Sequence, residues 1–171
     1  MNMSFQHQLT ENVKLLQKAV VIRQSGSTIE ALLLQRSETA ISRPNCWDLP
    51  GGNSEWPIAN QFSAANLHLI DLSREIFEET SLKVDEKIFD LSQLVHFSTY
   101  FDSDKQVFTV ICGWIVDFSL INQSEIKISD EHQNYIWVSE ANLPNYDFGG
   151  DRGAFVLDMI QKSFAKFKNH S

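Results

Sequence analysis

The hydrophobic pattern changes rhythm along the chain. QKAVVIRQ (17–24) and IEALLLQR (29–36) are rich in β-branched and aliphatic residues, and the turn SGST lies between them. This spacing predicts two strands joined by a tight turn. LSQLVHFSTYF (91–101) and QVFTVICGWIVDF (106–118) flank DSDK and read as a hairpin, and NYIWVS (134–139) as a further short strand. Between these strand patterns the period lengthens. From about Phe62, FSAANLHLIDLSREIFEET places Leu69, Ile70, Leu72, Ile76 and Phe77 in one broad sector of a helical wheel, a core-facing side. DRGAFVLDMIQKSFAKF (151–167) predicts an amphipathic closing helix, with Lys162, Lys166 and Lys168 towards the end, where cations suit the helix dipole. SETAISRPN is a polar loop, and Pro50-Gly51-Gly52 in CWDLPGG ends regular structure. Strands mixed with two substantial helices imply one α/β (α+β) domain over 1–171, with 1–12 and 168–171 as flexible ends.

Composition narrows the function classes. With 171 residues, 43% hydrophobic and 21% charged, the chain suits one globular domain and not wholesale disorder. A net charge of -8 supplies no basic field, which argues against a nucleic-acid polymer as partner. A small phosphorylated ligand stays open, because a bound divalent cation reverses the local sign. Cys46 and Cys112 stand far apart, with neither a CxxC nor a zinc spacing, so a reducing cytoplasm is the simplest compartment. The first residues, MNMSFQHQLTENVK, lack a secretory pattern, and no apolar run approaches the ~20 residues of a membrane span. No membrane partner is expected; a homodimer stays open.

The chemistry concentrates in REIFEET, Arg74–Thr80. With Glu75 as zero on the wheel, Glu78 falls at about -60°, Glu79 at about +40° and Asp71 at about -40°. Four carboxylates thus share about a third of the circumference. Like charges at these spacings destabilise a helix by a few tenths of a kcal/mol per pair, roughly, and raise each other's pKa. Arg74 and Lys83 are too few to neutralise them. Either the ridge is a solvated acidic face, or it holds a divalent cation; Mg²⁺ or Mn²⁺ takes hard oxygen ligands and keeps sites for water and phosphate.

CWDLPGG followed by REIFEETSL resembles the signature of the Nudix hydrolases, a glycine, five residues, Glu, seven residues, then Arg-Glu-apolar-any-Glu-Glu-any-Gly-apolar. Arg74, Glu75, Ile76, Glu78, Glu79 and Leu82 match its second half, and LLLQRS (32–37) and the Trp-Asp-Leu-Pro-Gly-Gly run are similar to that family as well. Three departures stand out. Twenty-two positions separate Gly52 from Arg74 where the signature has fourteen, an insertion of eight. Asn66 takes the place of the first signature Glu, and Ser81 that of the Gly after the helix. The insertion has no helix breaker and predicts about two extra turns at the helix N-terminus. Glu55 or Asp71 would then compensate for the missing carboxylate, though Asp71 fits a surface acid equally well.

The resemblance implies an α/β/α sandwich with a mixed sheet, an extended signature helix and a C-terminal helix. It also implies hydrolysis of a diphosphate linked to another group, commonly a nucleoside, with Mg²⁺ or Mn²⁺ as cofactor. On it, Glu75, Glu78, Glu79 and the Gly52 carbonyl are the expected metal ligands, with Asp71 added as a compensating acid that the family does not carry there, and Arg74 orients the carboxylates. Glu131, in SDEHQNYIWV, is a candidate general base, and Arg36, Arg43 and Trp47 are candidates for holding substrate. Two alternatives share the fold. An isopentenyl diphosphate isomerase would need a catalytic Cys, for which Cys46 is the nearest, and a ligand-sensing module would need no catalysis.

Overall fold

The computed structural model describes residues 12–55, 65–121 and 125–169. Six strands and two helices form the frame: β1 (Val13–Ser25), β2 (Thr28–Arg36), β3 (Trp47–Asp48), α1 (Leu67–Thr80), β4 (Leu94–Asp102), β5 (Val107–Asp117), β6 (His132–Ser139) and α2 (Ala154–Lys168). They build one mixed sheet in the order β3-β2-β1-β5-β4, with β6 also paired to β2. β1 and β5 run parallel and the other pairs antiparallel.

Alternation along the strands sorts the core into two layers. Ala19, Val21, Leu32, Leu34, Cys112 and Trp114 face one side, where Leu69, Leu72 and Ile76 of α1 cover them. Val20, Ile22, Ala31, Leu33, Ile111 and Ile115 face the other, under Val156, Met159, Ile160 and Phe164 of α2. The result is an α/β/α sandwich whose central strands are apolar on both faces, which explains their unbroken hydrophobic runs.

The feature that positions the site is a split in the sheet. β1 and β2 are registered only at their hairpin end, Ile22–Ser25 against Thr28–Ala31. Beyond it the two strands part, and the chain after β3 enters the gap. Gln17 N–H donates to the Gly52 carbonyl at 2.9 Å, Ala19 N–H to Pro50 at 2.8 Å, and Ser54 N–H to Leu15 at 2.8 Å. Residues 50–54 therefore run beside β1 where β2 would otherwise lie, and α1 passes over them.

Several elements differ from their predicted extents. α1 begins at Leu67, and Asn66 before it is left-handed, with φ 56°. The two extra helical turns are thus not formed at 65–66, and the expected start at Phe62 falls outside the described residues. Ile70 and Phe77 are exposed, at 38% and 44%, because the core sector of α1 is narrower than predicted and closes at Leu69, Leu72 and Ile76. The strand expected from residue 91 starts at Leu94, since the Asp90 carboxylate accepts the Ser92 N–H and caps a 3₁₀ turn at Leu91–Gln93. The closing helix starts at Ala154, after a 3₁₀ turn whose Gly153 packs too closely on the Phe148 carbonyl to carry a side chain. At the chain's end, Lys168 closes α2 and pairs with Glu140 at 2.5 Å.

Candidate active site

The site begins with the turn inserted in the split. Gly51 has φ 120°, and a side chain there would overlap the Gln17 carbonyl; one on Gly52 would overlap the Glu75 carboxylate. Gly51 needs glycine for its positive φ and its close approach to β1, whereas Gly52 lets the Glu75 carboxylate come close. The four carbonyls from Leu49 to Gly52 all end on β1. Pro50 and Gly52 accept backbone N–H groups, while Leu49 and Gly51 accept from the Lys18 ammonium. The amide of Gly51 points the other way and donates to Glu79 Oε2 at 2.7 Å.

α1 presents its acids to this turn in two groups. Glu79 is only 7% exposed, and burial pushes its carboxyl up to about 7, against the pull of Lys18 and of the Gly51 N–H. Glu75 is also raised, mainly by burial and in opposition to Arg74. The second group surrounds Arg74. Its guanidinium lies 2.7 Å from Glu78, 2.9 Å from Glu75, 3.4 Å from Glu55 and 3.9 Å from Asp71. Asp71 also accepts the Glu55 N–H at 3.1 Å, so the two acids considered as replacements for the absent carboxylate lie together. Four carboxylates meet one guanidinium.

Behind the turn lies a second charged cluster. Asp48 is fully buried, and its Oδ2 faces Arg43 at 2.7 Å, Lys18 at 3.4 Å and Arg36 at 3.4 Å. Burial alone would raise this carboxyl, but Lys18 and Arg43 outweigh it and hold the group below its ordinary range. His132, buried at the start of β6, brings Nε2 to 3.9 Å from Glu79 Oε1. Burial, reinforced by Lys18, lowers its pKa to about 4, so the ring is neutral near pH 7.

Only some of the expected site residues converge. Asp71, Arg74, Glu75, Glu78, Glu79 and Gly52 come together where α1 crosses the turn. Arg36 and Arg43 are brought to Asp48 instead; Arg43 also donates to the Phe148 carbonyl at 3.0 Å, and Arg36 to Ser42 at 2.8 Å. Trp47 packs on the α2 side, edge-on to Tyr146 at 5.3 Å. Glu131 is exposed in the turn before β6, while its neighbour His132 is the residue aimed at Glu79. Lys18 and His132 were not singled out from the sequence. A lysine inside the apolar run of β1 was the available signal for the first.

The donor set suits a hard divalent cation, being carboxylate oxygen throughout. Among the described residues no group of three or more His, Cys, Asp or Glu side chains forms a ready cage, because Glu75 and Glu78 are turned onto Arg74. Their excess over the one guanidinium still favours a further cation, and Glu75, Glu78 and Glu79 are the side chains that would hold it.

Neither a family model nor a curated protein matches the chain. Solved structures do. An Ap4A hydrolase from C. elegans shares 22% identity and superposes with a TM-score of 0.58 over 92% of this chain and 98% of its own. A MutT NUDIX hydrolase from Burkholderia pseudomallei shares 19% identity, with a TM-score of 0.60 over 88% and 99%. The NUDIX domain of Shewanella oneidensis NrtR, solved with ADP ribose, shares 17% identity, with a TM-score of 0.59 over 96% and 91%. An α/β/α sandwich with a split mixed sheet is thus the architecture, and its particular form is the Nudix fold.

Proposed function

We propose that the protein hydrolyses a phosphoric anhydride in a nucleoside diphosphate linked to a further group, using Mg²⁺ or Mn²⁺. The observation that carries this reading is the docking of the α1 carboxylates on the glycine turn, with Glu79 bonded to Gly51 and Glu75 against Gly52. A nucleotide substrate is supported by the likeness to an Ap4A hydrolase and to a domain bound to ADP ribose. In the reaction, water oxygen bonds to one phosphorus and the bridging oxygen leaves with the other. A divalent ion held by Glu75, Glu78 and Glu79 would supply charge neutralisation and activate the water.

The chain's own residues have distinct parts. Arg74 holds Glu75 and Glu78 at 2.9 and 2.7 Å and so fixes the direction of their oxygens. Gly51 N–H fixes Glu79. We assign the general base to Glu131, exposed one residue before the His132 that faces Glu79. Arg36 is the better placed of the two arginines to reach a phosphate, being 24% exposed against 11% for Arg43. The isomerase alternative is disfavoured because burial and Asp147 raise the Cys46 thiol, opposite to what a nucleophilic cysteine needs.

The test is turnover of a panel containing nucleoside di- and triphosphates, dinucleoside polyphosphates, nucleotide sugars and ADP-ribose, with Mg²⁺, Mn²⁺ or EDTA. Release of phosphate, pyrophosphate or a nucleoside monophosphate that needs the metal and is lost in Glu79→Gln is expected. Isomerisation of isopentenyl diphosphate without hydrolysis, or tight nucleotide binding with no turnover, overturns the reading.

A further inference from the structure

Lys18 is the one lysine in the buried core of the described residues, at 4% exposure, in a strand position where its neighbours are Ala19, Val20 and Val21. Burying an ammonium is costly, and apolar replacement of a buried ion pair is often neutral or stabilising. Stability alone does not call for a lysine here. Its contacts show what it does instead. The ammonium donates to the carbonyls of Leu49, at 2.9 Å, and Gly51, and lies 3.4 Å from Asp48. A trans peptide unit carries its N–H opposite its carbonyl. Drawing the Gly51 carbonyl towards β1 therefore aims the Gly52 N–H away from β1. The neighbouring unit, its Pro50 carbonyl on Ala19, likewise aims the Gly51 N–H at Glu79.

We propose that Lys18 is a positioning residue of the hydrolytic site: its ammonium, on the Leu49 and Gly51 carbonyls, fixes the peptide units on either side of Pro50–Gly51 and thereby registers the turn against Glu75 and Glu79. This rests on the hydrolase reading above, but its structural half does not. Gln17 completes the device from the same strand. Its side chain donates to the His68 carbonyl at 2.5 Å and to Ser54 Oγ at 3.0 Å, and it accepts from Trp114 at 3.2 Å. Two consecutive residues of β1 thus hold the turn and the start of α1 in one register.

Two variants decide it, Lys18→Met and Lys18→Arg; in the first, Asp48 keeps Arg43 at 2.7 Å and Arg36 at 3.4 Å, so its carboxylate is not orphaned. The first readout, on metal-free protein, is amide hydrogen exchange. Gly51 is expected to lose protection by about 100-fold in Lys18→Met while β1 and β5 stay protected, as in a folded chain. The second is kinetics on whichever nucleotide of the panel the wild type hydrolyses. Folded Lys18→Met is expected to have a kcat reduced about 100-fold, the scale of a misplaced site, with KM little changed and partial rescue by Lys18→Arg. Unchanged Gly51 protection, a kcat close to that of the wild type, or loss of β1 and β5 protection together with that of Gly51, overturns the proposal. If the wild type hydrolyses nothing, the hydrolase reading fails and the exchange result alone decides the positioning claim.

Discussion

Glu79 and His132 make opposite demands on protonation. The Glu79 carboxyl, ordinarily near 4.5, is raised to about 7 by burial, so between those values the folded protein binds the proton more tightly than the unfolded chain. Stability from this group is full below about 4.5 and is lost as pH rises to about 7. His132 is lowered from 6.5 to about 4, so its contribution runs the other way and is lost as pH falls through that window. In EDTA, the urea midpoint of the wild type is expected to stay nearly flat between pH 4.5 and 6.5. Glu79→Gln should leave a midpoint that rises with pH, and His132→Gln one that falls; unchanged profiles in both variants contradict this assignment. The glycines give a second test. Gly52→Ala meets only the flexible end of Glu75, so it should fold normally and lose activity, whereas Gly51→Ala meets the Gln17 backbone and should lower the melting temperature. Glu79 was partly legible in the sequence, since its wheel angle of about +40° lies next to that of Leu72, near the core margin. The partners of Lys18 were not, because they come from a turn more than thirty positions away.

At the scale of the element, α1 shows how a strong periodic signal still misplaces edges. Its buried stripe is Leu69, Leu72 and Ile76, and it ends against Ser81, which is left-handed at φ 61° and donates to the Phe77 carbonyl. That conformation costs a non-glycine residue about 1 kcal/mol. Ser81→Gly is therefore expected to raise stability by about that amount, less the bond from its hydroxyl to Lys127, as measured by denaturant midpoint. A loss of stability would show that the bond outweighs the strain. Ile76→Ala should cost ~2–5 kcal/mol and Phe77→Ala roughly 1 kcal/mol or less, separating the buried stripe from the exposed one. The helix start was misread because Asn66 looks harmless in a helical pattern, yet Asn tolerates the left-handed conformation that stops a helix. β3 went unseen for a different reason: two residues are too short to carry a period.

The whole molecule turns on the split sheet. The five longer strands and the two helices were readable from runs and periods, because these depend on local alternation, whereas the α/β/α layering was implied only by the family resemblance. The split was not, because it depends on which backbone groups a proline-glycine turn presents to β1. Parting β1 from β2 lets the turn reach both β1 and α1, and so sets the carboxylates against it. The Asp48 cluster anchors the arrangement from behind, with Arg43 joining it to the Phe148 carbonyl. The central claim, that α1 acids hold a divalent ion at this turn, is tested most directly by Mn²⁺ titration followed by electron paramagnetic resonance. At least one tightly held Mn²⁺ per chain is expected in the wild type, with binding lost or much weakened in folded Glu75→Gln and Glu79→Gln. Equal binding in the wild type and both variants, or none in the wild type, would contradict it.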